Sequence, residues 1–147
     1  MTLYSKSPEE TLRFGEDFAR SHLHAGSVVT IRGELGAGKT HFIKGIARAL
    51  GIDERELTSP TFSLAHEFEC SLNNRPFMLY HLDCYRFEKP EELLELGVED
   101  YLYPKNAATI IEWPERIERL IPQTAIDITI TATSETGREI RYDDPRH

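Results

Sequence analysis

Residues 33–40 form the stretch whose spacing most directly indicates chemistry. They read Gly-Glu-Leu-Gly-Ala-Gly-Lys-Thr and match G-x-x-x-x-G-K-[ST] at every fixed position. The glycines let the backbone wrap closely, with its amides pointing inward as an anion-binding nest at a helix N-terminus. Lys39 then offers a cation to phosphate groups, and the Thr40 hydroxyl is a ligand for Mg²⁺. The pattern predicts a phosphate-binding loop; a plain glycine-rich turn between a strand and a helix is the structural alternative.

Two acidic residues at the ends of predicted strands are candidates to hold a metal ion. Asp83 ends the run at residues 78–83, and Glu112 ends the run at residues 109–112. A phosphate-binding loop needs an acid at the end of a neighbouring strand, where it holds the metal or its waters. Spacing does not rank the two, and each could instead be an ordinary strand-end carboxylate. His81 lies two residues before Asp83, so the two side chains are expected on the same face of the strand.

Two further positions could belong to the same site. The segment Ser-Pro-Thr-Phe at residues 59–62 lies where phosphate-loop proteins often carry a loop that senses the γ-phosphate. Thr61 offers a hydroxyl and an amide there, and Pro60 stiffens the approach; a β-turn with a capping serine is the alternative. Trp113, the single tryptophan, follows Glu112 and could line the mouth of the site or fill the core.

The hydrophobic pattern predicts the elements that position these residues. A β-branched strand precedes the loop, and an amphipathic helix follows it. Ser7 and Pro8 are typical of a helix start. Predicted helices span residues 8–23, 39–50, 90–96 and 115–120. Predicted strands span residues 28–31, 61–70, 77–85, 108–111, 126–131 and 138–142, with a hairpin loop at 72–76 and a frayed tail at 143–147.

Composition bounds the class of protein. The 147 residues, 39% of them hydrophobic, suit one globular domain with one core. The net charge of −8 argues against direct nucleic-acid binding, which needs clustered Lys and Arg. No apolar run approaches the roughly 20 residues of a membrane span, and we expect no signal peptide. Cys70 and Cys84 form no zinc or disulfide pattern, which indicates reduced thiols and a cytoplasmic location.

Four stretches together resemble one family. They are residues 33–40, Ser-Pro-Thr-Phe at 59–62, His-Leu-Asp-Cys-Tyr-Arg at 81–86 and Glu-Trp-Pro-Glu at 112–115. In this order and spacing they resemble the TsaE (YjeE) family, the small ATPase of bacterial tRNA threonylcarbamoyladenosine biosynthesis, over about residues 8–141. The resemblance implies an α/β fold, a P-loop NTPase three-layer sandwich with a central mixed, mainly parallel β-sheet. Since the chain shows no internal repeat or linker, we expect one such domain over residues 1–147.

The resemblance also implies an activity and partners. It implies Mg²⁺-dependent ATP hydrolysis, activated when the protein joins TsaD and TsaB and serving the threonylcarbamoylation of an adenosine in tRNAs that read codons beginning with A. In that reading ATP and Mg²⁺ are the cofactors. The tRNA is reached only through the protein complex, and no membrane is involved.

The resemblance assigns roles to matching positions. It implies that Lys39, Asp83, Glu112 and Thr61 serve catalysis, and that Thr40, Glu112 and Asp83 hold the metal. His41 stands where many members carry a second Thr or Ser, and Arg138 matches a late Gly-Arg near the adenine. The implied nucleotide-binding residues are Glu34, Leu35, Gly36, Ala37, Gly38, Lys39, Thr40, His41, Trp113 and Arg138.

Two other functions remain open from the residues alone. A small-molecule phosphotransferase would need an acceptor pocket and usually a basic lid, and the sequence has no long basic insertion. A nucleotide-dependent binding module would switch without productive hydrolysis. Arg86 lies beyond its predicted strand, and no arginine is assigned as a finger. Hydrolysis by the isolated protein is therefore expected to be slow.

Overall fold

A computed structural model describes residues 1–57 and 64–146, and all statements on the fold concern these ranges. The strands are β1 (Thr2–Ser5), β2 (Val28–Arg32), β3 (Ala65–Leu72), β4 (Arg75–Asp83), β5 (Ala107–Glu112), β6 (Ile126–Ala132) and β7 (Arg138–Asp143). The helices are α1 (Pro8–His22), α2 (Lys39–Ala49), α3 (Glu54–Leu57), α4 (Pro90–Glu95) and α5 (Glu99–Leu102), with a 3₁₀ helix at Pro114–Leu120.

The strands form one seven-stranded sheet in the order β1-β7-β6-β2-β5-β4-β3. The three central pairs, β6 with β2, β2 with β5 and β5 with β4, are parallel. The three outer pairs are antiparallel, so five strands run in one direction and β3 and β7 oppose them. This mixed, mainly parallel sheet confirms the predicted fold class.

The central strand β2 is buried on both faces. Val29 and Ile31 are both 0% exposed, and every residue of β2 before Arg32 is buried. A strand with parallel neighbours on each side and helices on both faces reads as such a continuous apolar run. Because β2, β4 and β5 are parallel, their carboxyl ends meet at one edge of the sheet, which is where ligands bind in such folds.

Helices cover the two faces of the sheet and create two cores. On one face α1 and α2 pack through Phe18, Phe42 and Ile46. On the other face α4, α5 and the 3₁₀ helix contribute Leu93, Leu102 and Ile117. The result is a three-layer arrangement. The apolar helical face predicted for the segment after the loop is buried as expected, at Phe42, Ile43, Ile46, Ala47 and Leu50.

Helices α1 and α2 touch backbone to backbone where each carries a glycine. A Cβ added at Gly15 would lie 2.1 Å from the Phe42 carbonyl oxygen, and one at Gly45 would lie 1.9 Å from the Leu12 carbonyl oxygen. Only a residue without a side chain permits this approach. The contact therefore joins the middle of α1 to the middle of α2 at very short range.

The hairpin between β3 and β4 turns more tightly than the sequence predicted. The turn is Asn73–Asn74, with φ of 53° and 64°, in place of a loop over residues 72–76. Two asparagines tolerate positive φ and suit a two-residue hairpin turn. The strand expected to start at residue 61 begins at Ala65, while residues 61–63 lie outside the described ranges.

The predicted frayed tail is corrected at its first two positions. Strand β7 continues to Asp143, and the side chain of Asp144 is only 2% exposed. Its Oδ2 lies 2.8 Å from Nδ1 of His22 at the end of α1. The partner is 122 residues away, so no local pattern indicated the contact. Strand β1 and the short helices α3 and α5 were also not predicted.

No helix within residues 1–57 and 64–146 is long and apolar enough to cross a membrane.

Replacing Gly45 with alanine should destabilise the protein even though alanine favours helix. Inserting a methyl group into a closed backbone contact typically costs about 1–3 kcal/mol, above the roughly 1 kcal/mol that alanine gains in helix propensity. We expect a lower urea midpoint for Gly45→Ala. Lys44→Ala on the same helix is the matched control and should stay within about 0.5 kcal/mol of wild type. A urea midpoint of Gly45→Ala at or above that of the wild type would show that the two helices accommodate the methyl group at no cost.

Candidate functional site

The segment at residues 33–38 joins the end of β2 to the start of α2. Gly36 and Gly38 have φ of 80° and 105°, a left-handed conformation that side chains disfavour. Gly38 is the N-cap of α2, and within the described residues no side chain caps this helix. The first amides of α2 are therefore available to an anion, which the partial positive charge of a helix N-terminus favours.

A cavity of about 370 Å³ adjoins this segment. It brings together ten of the residues predicted for the site, from four separate parts of the chain: Leu35, Gly36, Gly38, Lys39, Thr40, His41, Asp83, Glu112, Trp113 and Arg138. Pro8, Thr11, Glu135 and Thr136 also line it and were not predicted. A pocket of this size and polarity suits a small polar ligand.

Lys39 contributes a buried ammonium to the cavity. The residue is only 6% exposed, and its Nζ has no hydrogen-bond partner in the described part of the chain. Nζ lies over the ring of Trp113, 3.8 Å from its centroid. A buried ammonium without an oxygen partner is costly, so the site is electrostatically complementary to an anion.

Trp113 is half-buried and forms one wall of the cavity. Its ring packs against the core beneath α4 and against Tyr85, with 4.9 Å between the ring centroids. Its backbone is left-handed, at φ 57° and ψ 50°. Such a conformation costs a non-glycine residue on the order of 1–3 kcal/mol and tends to occur at functional sites. The indole thus serves the core and the cavity at once.

The two strand-end acids occupy different environments. Parallel pairing of β4 with β5 sets Asp83 directly beside Glu112. Asp83 is exposed, and its Oδ1 accepts a hydrogen bond from the Tyr85 amide at 3.0 Å. The side chain of Glu112 is 15% exposed, and its Oε2 lies 2.7 Å from Nε2 of His81. Together with the Thr40 hydroxyl, these carboxylates form a donor set suited to Mg²⁺.

Arg138 connects β7 to the loop. Its Nη2 donates to the Gly36 carbonyl at 3.1 Å, and its Nη1 donates to the Gly137 carbonyl at 2.7 Å. A Cβ at Gly38 would come within 3.3 Å of Arg138 Nε, so the side chain packs directly over the loop. Arg138 therefore supports the loop with the same guanidinium that lines the cavity.

Two of the predicted residues, Glu34 and Ala37, are not in the lining of this cavity. Glu34 and Ala37 line a second cavity of about 720 Å³, on the side of the loop that faces the end of β6. Ala37 is only 3% exposed and belongs to the core. Thr61 lies outside the described residues, so its predicted role stays a prediction.

The hydrogen bond between His81 and Glu112 was missed from the sequence. The spacing of two residues predicted that His81 and Asp83 share a strand face. Contact of His81 with Glu112, however, depends on the register between β4 and β5. Thr11 was missed for a similar reason. Its hydroxyl lies 2.7 Å from the Ser5 hydroxyl, and the packing of α1 on α2 brings it to the cavity.

Both cysteines are free and hard to ionise. Burial, reinforced by the charges of Asp83 and Glu115, raises the pKa of the Cys84 thiol to about 12. Burial raises the pKa of Cys70 to about 11. Neither thiol forms a thiolate at neutral pH, so thiol nucleophilic chemistry has no support beside the cavity.

Comparison with known sequences identifies the relatives of this chain. The family model "Threonylcarbamoyl adenosine biosynthesis protein TsaE" matches residues 5–140. A protein of Treponema pallidum named tRNA threonylcarbamoyladenosine biosynthesis protein TsaE is 38% identical over 140 residues, covering 95% of this chain and 98% of the relative. The protein of the same name from Bacillus subtilis is 37% identical over 136 residues, covering 92% and 80%.

Comparison of structures agrees. The crystal structure of Bacillus subtilis YdiB superposes with a TM-score of 0.74 at 32% sequence identity. The match covers 98% of this chain and 84% of that one. Fold and sequence thus point to the same set of relatives.

Replacing Lys39 with alanine should weaken the binding of Mg-ATP by about 10- to 100-fold or more, since a charge-assisted hydrogen bond contributes about 1.5–3 kcal/mol. Isothermal titration calorimetry measures this directly. The unfolding midpoint of the ligand-free variant should not fall, because the substitution removes an unpaired buried charge. Lys44→Ala, on the same helix and outside the cavity lining, is the control and should bind as wild type. Unchanged affinity in Lys39→Ala would contradict the phosphate-binding assignment.

Proposed function

The chain belongs to the TsaE family of tRNA threonylcarbamoyladenosine biosynthesis proteins, and we propose that it is a Mg²⁺-dependent ATPase acting with TsaD and TsaB. The observation that carries the proposal is the Lys39 ammonium, buried and unpaired among the described residues at the uncapped N-terminus of α2. A buried cation beside the free amides of a helix N-terminus suits a phosphate group.

The residues around the cavity fit Mg-ATP. The amides of residues 36–40 and the Lys39 ammonium would hold phosphate oxygens, and the Thr40 hydroxyl would ligate Mg²⁺. Bound Mg-ATP supplies a terminal phosphoryl group for transfer to water. Lys39 offsets the negative charge of that group in a site where the dielectric is low. Trp113, which forms one wall of the cavity, would shield this end of it from bulk water.

Asp83 and Glu112 are proposed to act on the metal and its waters. Both are carboxylates at the edge where the loop begins, and their different exposures give them different mobility. Glu112, mostly buried and hydrogen-bonded, has a defined position from which it can orient a water molecule. Asp83, exposed and engaged with the turn at Tyr85, is free to adjust when a ligand binds. Either one, or both, would contact the metal.

The cavity provides few cations to stabilise a phosphoryl-transfer transition state. Over the described ranges, Arg138 is the one arginine in its lining. Its Nη1 and Nη2 already donate to the backbone carbonyls of Gly137 and Gly36, and only its buried Nε has no hydrogen-bond partner there. Arginine fingers contribute about 10³–10⁵ in rate in other P-loop enzymes. Slow hydrolysis by the isolated chain follows, with a partner supplying the missing charge or closing the site.

Glu112→Gln should lower the rate of ATP hydrolysis by about tenfold or more while leaving ATP affinity within about threefold. The amide keeps the shape of the side chain and loses the charge that orients the metal or its waters. Asp83→Asn is the parallel variant. Glu69→Gln, on the exposed edge strand β3 and away from the cavity, is the control. Wild-type rates in both site variants, measured with partners present, would show that neither acid carries the chemistry.

Hydrolysis should rise when TsaD and TsaB are added and should not rise with tRNA alone. The surface charge of −8 suits docking on a more basic protein assembly and disfavours bare nucleic acid. Steady-state phosphate release is compared for the chain alone, with tRNA, with the partner pair, and with candidate small-molecule acceptors. Full activity of the chain alone would contradict partner activation. Transfer of the terminal phosphoryl group of ATP to one of these acceptors would identify a phosphotransferase instead.

A further inference from the structure

We propose that His81 is a positioning residue for this hydrolysis: its Nε2–H holds the Glu112 carboxylate in place at the cavity. The inference rests on the proposed ATPase function and adds a residue for which the sequence indicated no role. Oε2 of Glu112 lies 2.7 Å from Nε2 of His81.

The architecture of the sheet makes this contact. In the parallel pairing of β4 with β5, His81 is opposite Ile110 and Asp83 is opposite Glu112. His81 is therefore a diagonal neighbour of Glu112, two residues before the position that pairs with it. Both side chains lie on the face of the sheet that α1 and α2 cover. Diagonal neighbours in a sheet are within reach of long side chains, and glutamate and histidine span the gap.

The direction of the hydrogen bond follows from its acceptor. A carboxylate has no proton to give, so Nε2 of His81 must carry the hydrogen. The two side chains are 18% and 15% exposed, which shields the bond from competing water. Over residues 1–57 and 64–146, no other side chain makes a hydrogen bond or ion pair with Glu112.

His81 acts only through Glu112. Glu112 and Asp83 line the cavity, and His81 does not. Without the imidazole, Oε2 would lose its donor in a mostly buried position, and the carboxylate would be free to rotate away from the cavity. The expected consequence is a slower chemical step with little change in nucleotide affinity, because the groups that bind phosphate stay in place.

Two amide substitutions separate the roles of the imidazole nitrogens. The amide nitrogen of glutamine can occupy the place of Nε2, whereas that of asparagine corresponds to Nδ1 and stops short of Glu112. With TsaD and TsaB present, His81→Ala and His81→Asn should lower kcat about 10–100-fold with KM for ATP within about threefold. His81→Gln should recover most of the rate. In a Glu112→Gln background, His81→Ala should change kcat by less than about twofold, since residues that act together are not additive.

Nitrogen-15 NMR of the ligand-free protein tests the hydrogen bond without any activity. We expect Nε2 of His81 to be protonated in the wild type and its resonance to shift in Glu112→Gln, while the unfolding midpoint of His81→Gln stays near that of the wild type. An unprotonated Nε2, a wild-type kcat in His81→Ala, or equal loss in the glutamine and asparagine variants would overturn the inference. A wild-type chain that releases no phosphate with its partners would instead contradict the proposed function itself, and the positioning role would fall with it.

Discussion

Folding places the Lys39 ammonium in the interior, at the positive end of α2, where no described carboxylate neutralises it. Both the desolvation of the charge and its repulsion from the helix dipole raise the free energy of the folded state. The two cores on either face of the sheet must outweigh that cost. In return the cation is desolvated and held in position before any ligand arrives, which is the condition for strong electrostatic action on a phosphate.

The rest of the site depends on how the sheet is wound around β2. Three parallel pairs bring the loop after β2 and the ends of β4 and β5 to one edge. The antiparallel return of β7 carries Arg138 back against the loop. The close crossing of α1 and α2 brings Thr11 to the cavity. The lining of the cavity therefore depends on three features of the fold: the order of the strands, their register and the packing of α1 on α2.

Local pattern was enough to predict the loop, its flanking strand and helix, and both strand-end acids. These features depend on residue types within a few positions of one another, such as the glycines before Lys39. Contacts across the sheet could not be predicted in this way. The bond from His81 to Glu112 requires the register of β4 on β5, and the burial of Asp144 requires a partner on α1. The side of the loop on which Glu34 lies depends on backbone dihedrals that glycines leave undetermined.

The contact between Lys39 and Trp113 also affects how tightly a nucleotide would bind. A cation above a desolvated aromatic ring is stabilised by about 1–2 kcal/mol, and this stabilisation belongs to the ligand-free state. An incoming phosphate must displace the indole as partner of the ammonium, and one or two kcal/mol lowers an equilibrium constant by about 5- to 30-fold. If the chain binds nucleotide as proposed, the indole would compete with the phosphate for the cation. In the proposed cycle this competition would lower the affinity for the spent nucleotide and so favour turnover over tight retention.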